Sequence, residues 1–339
     1  MKTREGDLIR TQNGVVFDVK GLVHPPDRII AFPRFIPSVY GPRRRGARRY
    51  GKVYSLPERF KFLAENMPDL IVYDAVFDEE MCEVPVSIVE KHYTPVKALK
   101  RLRQARRLDS IEQKAVEIVE ELKNEAGIPW SAIGISGSVS VKLHTERSDL
   151  DPVVYGESSC RKAYDALSML LGDSESRFKP YSADELKVLF DFRSKDTVMP
   201  LEDFLTVETR KAFQGKFMGT DYFVRFVKDF AEIDEKYGDV VYRNCGYARI
   251  KAKVSDASEA LFTPCVYLLE DVEVLEGAKH VQVEQVASFR GRFCMQAKNG
   301  EWIVAQGKVE KVADRRVGRD YYRLLLGNSS NDYMILSGF

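Results

Sequence analysis

The chain is poor in the residues that mark many functional classes. Its five cysteines (Cys82, Cys160, Cys245, Cys265, Cys294) are scattered over 339 residues without a Cys-x-x-Cys. That pattern argues against a zinc ribbon or a disulfide scaffold and fits a reducing, cytoplasmic setting. Four histidines (His24, His92, His144, His280) show no metal-ligand spacing. No run approaches the ~20 apolar residues of a membrane span, and the opening MKTREGDLIR lacks the apolar core of a secretory signal. Net charge is absent too: 52 Lys and Arg against 51 Asp and Glu leave +1, so no global field draws the chain to nucleic acid or membrane.

What is present is locally uneven charge on a globular composition, 44% hydrophobic and 30% charged. GPRRRGARRYGK (41–52) carries five arginines and a lysine with no acid, and VKALKRLRQARR (96–107) is similar. Such stretches are solvated faces or phosphate contacts. The length implies two or three domains. Residues 1–105 read as β-rich, with GVVFDVKGLV and RIIAFPRFI as strands, HPPDR as a turn holding His24, and SLPERFKFLAENMP as a short helix. A core is expected over 106–270. It opens with a helix that places Ile111, Ala115, Ile118, Leu122 and Ala126 on one face behind a Ser110–Gln113 capping box. Strand SAIGIS, a polar turn, strand DPVVYG and helix SSCRKAYDALSMLLG follow. Residues 173–240 read as a helical insertion, with Phe223, Phe226, Val227, Phe230, Ile233 and Tyr237 as one stripe. Period-two alternation after 245 predicts antiparallel strands, an Asn299-Gly300 hairpin and a small barrel or curved sheet over 271–339.

GISGSVSVKLHTERSDLDPVVYG (134–156) concentrates the chemistry. On an extended segment Asp149 and Asp151 point to one face. Two carboxylates there repel unless a cation is near, and oxygen-only ligands suit Mg²⁺. With a third carboxylate, two ions can clamp the oxygens of a phosphoryl or nucleotidyl transfer. The small turn of Gly137 and Ser138 lets backbone N–H groups approach an anion. Ser136 adds a hydroxyl, Ser148 braces the loop, and Lys142, His144 and Arg147 offer positive charge. An ordinary Gly-Ser turn and an Asp cap are the competing reading.

A strand, Gly-Ser, ten residues and Asp-x-Asp on the next strand resemble the signature of the DNA polymerase beta nucleotidyltransferase superfamily. Most of the chain also resembles a family of archaeal predicted nucleotidyltransferases, through DVKGLVHPPDRIIAF, KVYSLPERF, GTDYFVRFVK, SEALFTPCVY and ASFRGRF. The resemblance implies an α+β fold: a polymerase-beta-like core, a mixed sheet with packed helices, between a β-rich N-terminal domain and a small barrel-like C-terminal region. It implies that Gly137 and Ser138 hold an NTP and that Asp149 and Asp151 hold two Mg²⁺ with a third carboxylate on a later strand. Asp256 in RIKAKVSDASEALF is the first choice and Asp191 in KVLFDFR the second. Pro152 departs from the pattern; the strand begins there or runs along an edge. The implied activity moves an NMP from an NTP to a hydroxyl acceptor, with RNA or tRNA favoured by Arg43–Arg49 and by Arg290 and Arg292 of SFRGRF. DRRVGRDYYR (314–323) is a further basic, aromatic stretch. The alternative is an inactive NTP- or RNA-binding module or scaffold.

Overall fold

In the computed structural model, which describes residues 1–278 and 281–338, the chain is mixed α+β and divides into two compact units. His280 lies outside the described residues. The first unit comprises Met1–Val72, Met81–Pro180 and Ala212–Asp234; the second comprises Tyr73–Glu80, Tyr181–Lys211 and Glu235–Phe339. The division crosses the boundaries read at 105 and 270, because sheet pairing ties sequence-distant strands together. Among the described residues no helix is long and apolar enough to cross a membrane.

The first unit opens with β1 (Leu8–Thr11), β2 (Val16–Val19), β3 (Arg28–Pro37), β4 (Arg43–Arg45) and β5 (Arg48–Lys52). Helix α1 (Leu56–Asn66) and strands β6 (Ile71–Asp74), β7 (Glu79–Pro85) and β8 (Val89–Tyr93) follow. The sheet runs β4-β5-β3-β2-β1-β8, with β7 also on β3. Its core includes Leu8, Val16, Phe35, Tyr50 and Tyr93, which pack with Val141 and Leu143 from the motif segment. Helices α2 (Pro95–Arg103) and α3 (Ser110–Glu125) lead into β9 (Ile133–Ile135). The apolar face read for α3 is buried at Ile111, Ala115, Ile118 and Leu122. Its capping box is Asp109 with Glu112, one residue before the pair expected, because Asp accepts from the N3 amide as well as Ser does. A single turn, α4 (Gly137–Ser140), then β10 (Pro152–Tyr155) and α5 (Glu157–Gly172) complete the motif region.

The stretch after α5 corrects the helical reading. It contributes β11 (Phe178–Lys179), helices α6 (Ala183–Arg193) and α7 (Leu201–Glu208), then β12 (Gln214–Phe217), β13 (Thr220–Phe223) and β14 (Arg225–Val227). Over DYFVRFV both periods fit. The alternation of Tyr222, Val224 and Phe226, each 1% exposed, prevails because β10 offers an unpaired edge. The resulting sheet is β14-β10-β9, with β14 parallel and β9 antiparallel to β10.

The second unit is built on β15 (Val240–Asp256), β16 (Cys265–Gly277), β17 (Val283–Ser288), β18 (Trp302–Asp314), β19 (Arg319–Leu326) and β20 (Tyr333–Leu336). The order is β15-β16-β17-β19-β18-β20, and an extra β15–β18 pairing closes the first five into a ring. Closure removes the open edges that alternating strands would expose. The barrel-like region expected from 271 thus starts near 240. Asn299-Gly300 forms a turn, with Gly300 at φ +82, but no hairpin: β17 and β18 on either side of it do not pair. All five cysteines are free, and Cys265 hydrogen-bonds Cys294.

Candidate functional site

Asp151 lies directly before β10, and Pro152 is the first residue of that strand, paired with Ile135. Ser136 follows β9, and its amide donates to the Asp151 carbonyl at 2.8 Å. The two ends of the motif are thereby pinned face to face. Gly137 has φ +58, and a Cβ there would stand 1.8 Å from the Asp151 Oδ2. Only glycine permits this backbone to lie against that carboxylate. The Ser138 hydroxyl is buried and makes no hydrogen bond, although the residue is 2% exposed. The Ser136 hydroxyl donates to the Gly6 carbonyl at 2.6 Å, so its role is to fasten the N-terminal segment.

These residues share a pocket with others that the motif does not foretell. It is lined by Ser136, Gly137, Ser138 and Asp151 together with Asp18 of β2, Arg34 of β3, Lys52 of β5 and Arg225 of β14. Its free volume is about 40 Å³, room for roughly three waters, a phosphate group or a small ion. Burial and then the neighbouring Asp149 carboxylate push Asp151 up to about 7, against the offsetting charges of Lys52, Arg225 and Arg34. Asp18 behaves oppositely. Burial alone would raise it, but Lys20, Arg225, Arg34 and Arg59 together hold it well below the usual carboxylate range. Lys20 sits 3.0 Å from Asp18 and 2.8 Å from the fully buried Glu5. The pocket therefore combines oxygen donors for a hard cation with cationic side chains for the charge of a phosphate. The sequence signal for Asp18 was weak: an acid inside an otherwise apolar strand, VFDV.

The two basic tracts brace the motif. Arg43 of β4 donates to the Leu143 carbonyl at 2.6 Å and to the Ser148 hydroxyl at 3.4 Å. Arg101 of α2 donates to the Ser140 carbonyl at 3.0 Å. Ser148 also accepts from the Thr145 amide at 2.9 Å, so it closes a turn. Lys142 is exposed at φ +58 and does not line the pocket. His144 bonds Asp109 at 2.7 Å. Among the described residues, Asp109, Glu112 and His144 are the trio whose ligand atoms all lie within 4.8 Å of one another. Asp109 and Glu112 are engaged in the cap of α3, and this cluster lines no part of the pocket. His24 is a hydrogen-bonded turn residue, held by Thr3 and the Ile30 amide and drawn down to about 4 by burial.

The expected third carboxylates stand elsewhere. Asp256 belongs to the second unit, where its oxygens accept from the Ser258 amide at 2.8 Å and hydroxyl at 2.9 Å. Asp191 is an exposed residue of α6 in the same unit. The strand that does pair with the Asp-x-Asp segment is β13–β14, through a Leu150–Tyr222 bridge and Val153 opposite Arg225. In that register Asp151 stands beside Phe223 and Asp149 beside Asp221, whose carboxylate pairs with Lys216 at 3.1 Å. Arg290 and Arg292 do not alternate along a strand: both ion-pair Asp196 at 3.1 Å, and Arg292 is largely enclosed and drawn down to about 9 by burial. In the 314–323 stretch, Arg316 pairs with Asp314, Arg319 with Glu284 and Arg323 with Glu310.

The chain is 31% identical over 345 residues to the Uncharacterized protein MJ1086 of Methanocaldococcus jannaschii, an alignment covering 98% of this chain and 99% of that protein. No family model matches the chain, and no solved structure does. At that identity and coverage, the chain belongs to the family of this archaeal protein.

Proposed function

We propose that the protein is a Mg²⁺-dependent nucleotidyltransferase. The observation that carries the reading is the pocket itself: Gly137, Ser138 and Asp151 face Asp18, Arg34, Lys52 and Arg225 across a space the size of a phosphate. Carboxylates and cations in one small cleft match a metal-bound polyphosphate better than either a bare metal or a bare anion. The donor set fits the ion, being oxygen-only, with Asp149 and Asp151 repelling each other in its absence and the Ser138 hydroxyl unpartnered. Asp149 and Asp151 would hold Mg²⁺, with Asp18 in the place of the third carboxylate; the ion would supply charge neutralisation and Lewis acidity at the phosphoryl oxygens. Arg34, Lys52 and Arg225 bind the phosphate charge. Gly137 lets the turn close on Asp151, and Ser138 donates a hydrogen bond into the pocket.

In the transfer, an acceptor hydroxyl oxygen bonds to the α-phosphorus of the NTP as the bond to the β-phosphate oxygen breaks. Pyrophosphate leaves, and the hydroxyl proton passes to a base or to water. The protein's contribution is positioning and electrostatic stabilisation. A second reading, nucleotide binding without transfer, is favoured by the aromatic Phe223 standing beside Asp151 and by the pairing of Asp221, beside Asp149, with Lys216. One experiment separates the two. Each α-labelled NTP is incubated with Mg²⁺, total archaeal RNA and either the wild type or Asp149→Ala/Asp151→Ala. Label entering a product with the wild type alone establishes transfer. Absence of label, with Mg-NTP binding intact in the wild type and lost in the variant, establishes the binding module.

A further inference from the structure

A second cleft in the first unit has no part in the reading above. It is open, about 380 Å³, and lined by Arg10, Gln12, Arg45, Arg48, Tyr50 and Glu90. Its charge is unbalanced. Glu90 pairs with Arg10 at 2.6 Å, which answers one cation of three. Arg45 donates to the neutral Tyr93 hydroxyl at 2.5 Å and lies over that ring, so its charge is not cancelled. Arg48 is exposed and carries no ion pair among the described residues. The Arg10 Nε is buried without a hydrogen-bond partner. Guanidinium groups with unused donors around an open cleft select phosphate oxygens.

The cleft is joined to the nucleotide pocket by one strand. Residues two apart on a strand share a face, and on β5 these are Arg48, Tyr50 and Lys52. Arg48 and Tyr50 line the cleft, and Lys52 lines the pocket that holds Asp151. Arg48 and Lys52 are therefore about 13 Å apart along the strand. That is too far for one phosphate and within reach of a short chain of them. The hairpin is also fixed relative to the motif, since Arg43 grips the Leu143 carbonyl six residues before Asp149. In the loop leading to β4, Tyr40 is 94% exposed, a flat surface on which a base can stack. An exposed aromatic ring three residues before the arginine-bearing strand β4 favours a nucleic acid over inorganic polyphosphate.

We propose that the β4–β5 hairpin is the acceptor track: a single-stranded nucleic acid lays its phosphates in the Arg10–Arg45–Arg48 cleft, and its terminal hydroxyl is led along β5 to the pocket at Lys52. The assignment of the strand as acceptor rests on the nucleotidyltransferase reading; the binding surface does not.

The test is fluorescence anisotropy of labelled oligoribonucleotides and oligodeoxyribonucleotides on the full chain, in EDTA and without NTP, across a salt series. Each phosphate contact with a single strand contributes about 0.7 to the slope of log K against log salt. Arg45→Gln/Arg48→Gln is expected to lower the slope by about 1.4 and weaken binding on the order of 25-fold at about 0.1 M salt. Arg45→Lys/Arg48→Lys keeps the charge and restores most of the affinity, which sets aside a folding defect. Tyr40→Ala weakens the oligomer about fivefold or more and leaves polyphosphate binding unchanged. Preference for RNA or DNA names the source of the strand. Equal affinity and slope for wild type and the glutamine variant overturn the proposal, as does competition by polyglutamate as strong as by the oligomer. A wild type that binds through the cleft but never extends the strand, while α-label still enters another product, refutes the acceptor assignment alone; label in no product at all refutes the transfer reaction, and the nucleic-acid surface stands in both cases.

Discussion

Asp151→Asn, made in the metal-free protein, is expected to stabilise the fold in a pH-dependent way. The folded carboxyl titrates near 7 against an ordinary 3.8, because it is buried and because Asp149 lies close. A raised folded value means that the native state keeps a proton the unfolded chain has already released. At low pH both states are protonated and the group has no effect on stability. As pH rises from about 4 toward 7 the unfolded chain ionises first, so native stability falls; above 7 the native carboxyl ionises too and the penalty is complete. The gap of about three pH units sets its ceiling at about 4 kcal/mol. Solvent entering the mouth of the pocket screens part of that. Asparagine keeps the shape and removes the charge. Urea unfolding in EDTA at several pH values measures the difference. Trp130 lies in the first unit and Trp302 in the second, so a Trp302→Phe background isolates the relevant signal. The variant is expected to exceed the wild type by up to about 4 kcal/mol at pH 8, with the advantage vanishing toward acid. Added Mg²⁺ is expected to raise the wild type and leave the variant unmoved. A variant that is less stable at pH 8, or whose difference from wild type ignores pH, refutes the electrostatic account of the pocket.

Gly137→Ala places a methyl group onto the Asp151 carboxylate at a left-handed φ. The backbone conformation alone costs about 1–2 kcal/mol, and the clash adds to it. A loss of more than about 2 kcal/mol by urea unfolding is expected, with Mg-NTP binding lost by calorimetry. Arg292→Ala leaves Asp196 with Arg290 alone and opens the ion-pair cluster of the second unit. It is expected to destabilise that unit by about 2 kcal/mol, followed through Trp302 fluorescence, while oligonucleotide affinity stays at the wild-type value.

Local chemistry made much of the motif readable. The small residues at 137 and 138, the paired aspartates and the strand-turn-strand around them follow from short-range rules. So do the apolar faces of α3 and α5 and the alternating strands of the C-terminal half. One-dimensional periodicity failed where two periods overlap. The run Tyr222–Val227 satisfies both helix and strand, and the free edge of β10 decided the matter. The same limit applied to Arg290 and Arg292, read as a contact for RNA, which both ion-pair Asp196 within the second unit.

By itself, the sequence determined that a small-residue turn and a pair of carboxylates come together, because those residues lie one to a dozen positions apart. The tertiary structure alone decided what surrounds them. Asp18, Arg34 and Lys52 lie on three strands far upstream of the motif, and Arg225 lies well downstream. Their convergence depends on sheet register, and register is set by packing over the whole unit rather than by any local pattern. Asp256 illustrates the converse: its residue type was suitable, but its carboxylate closes a turn on Ser258 in the other unit.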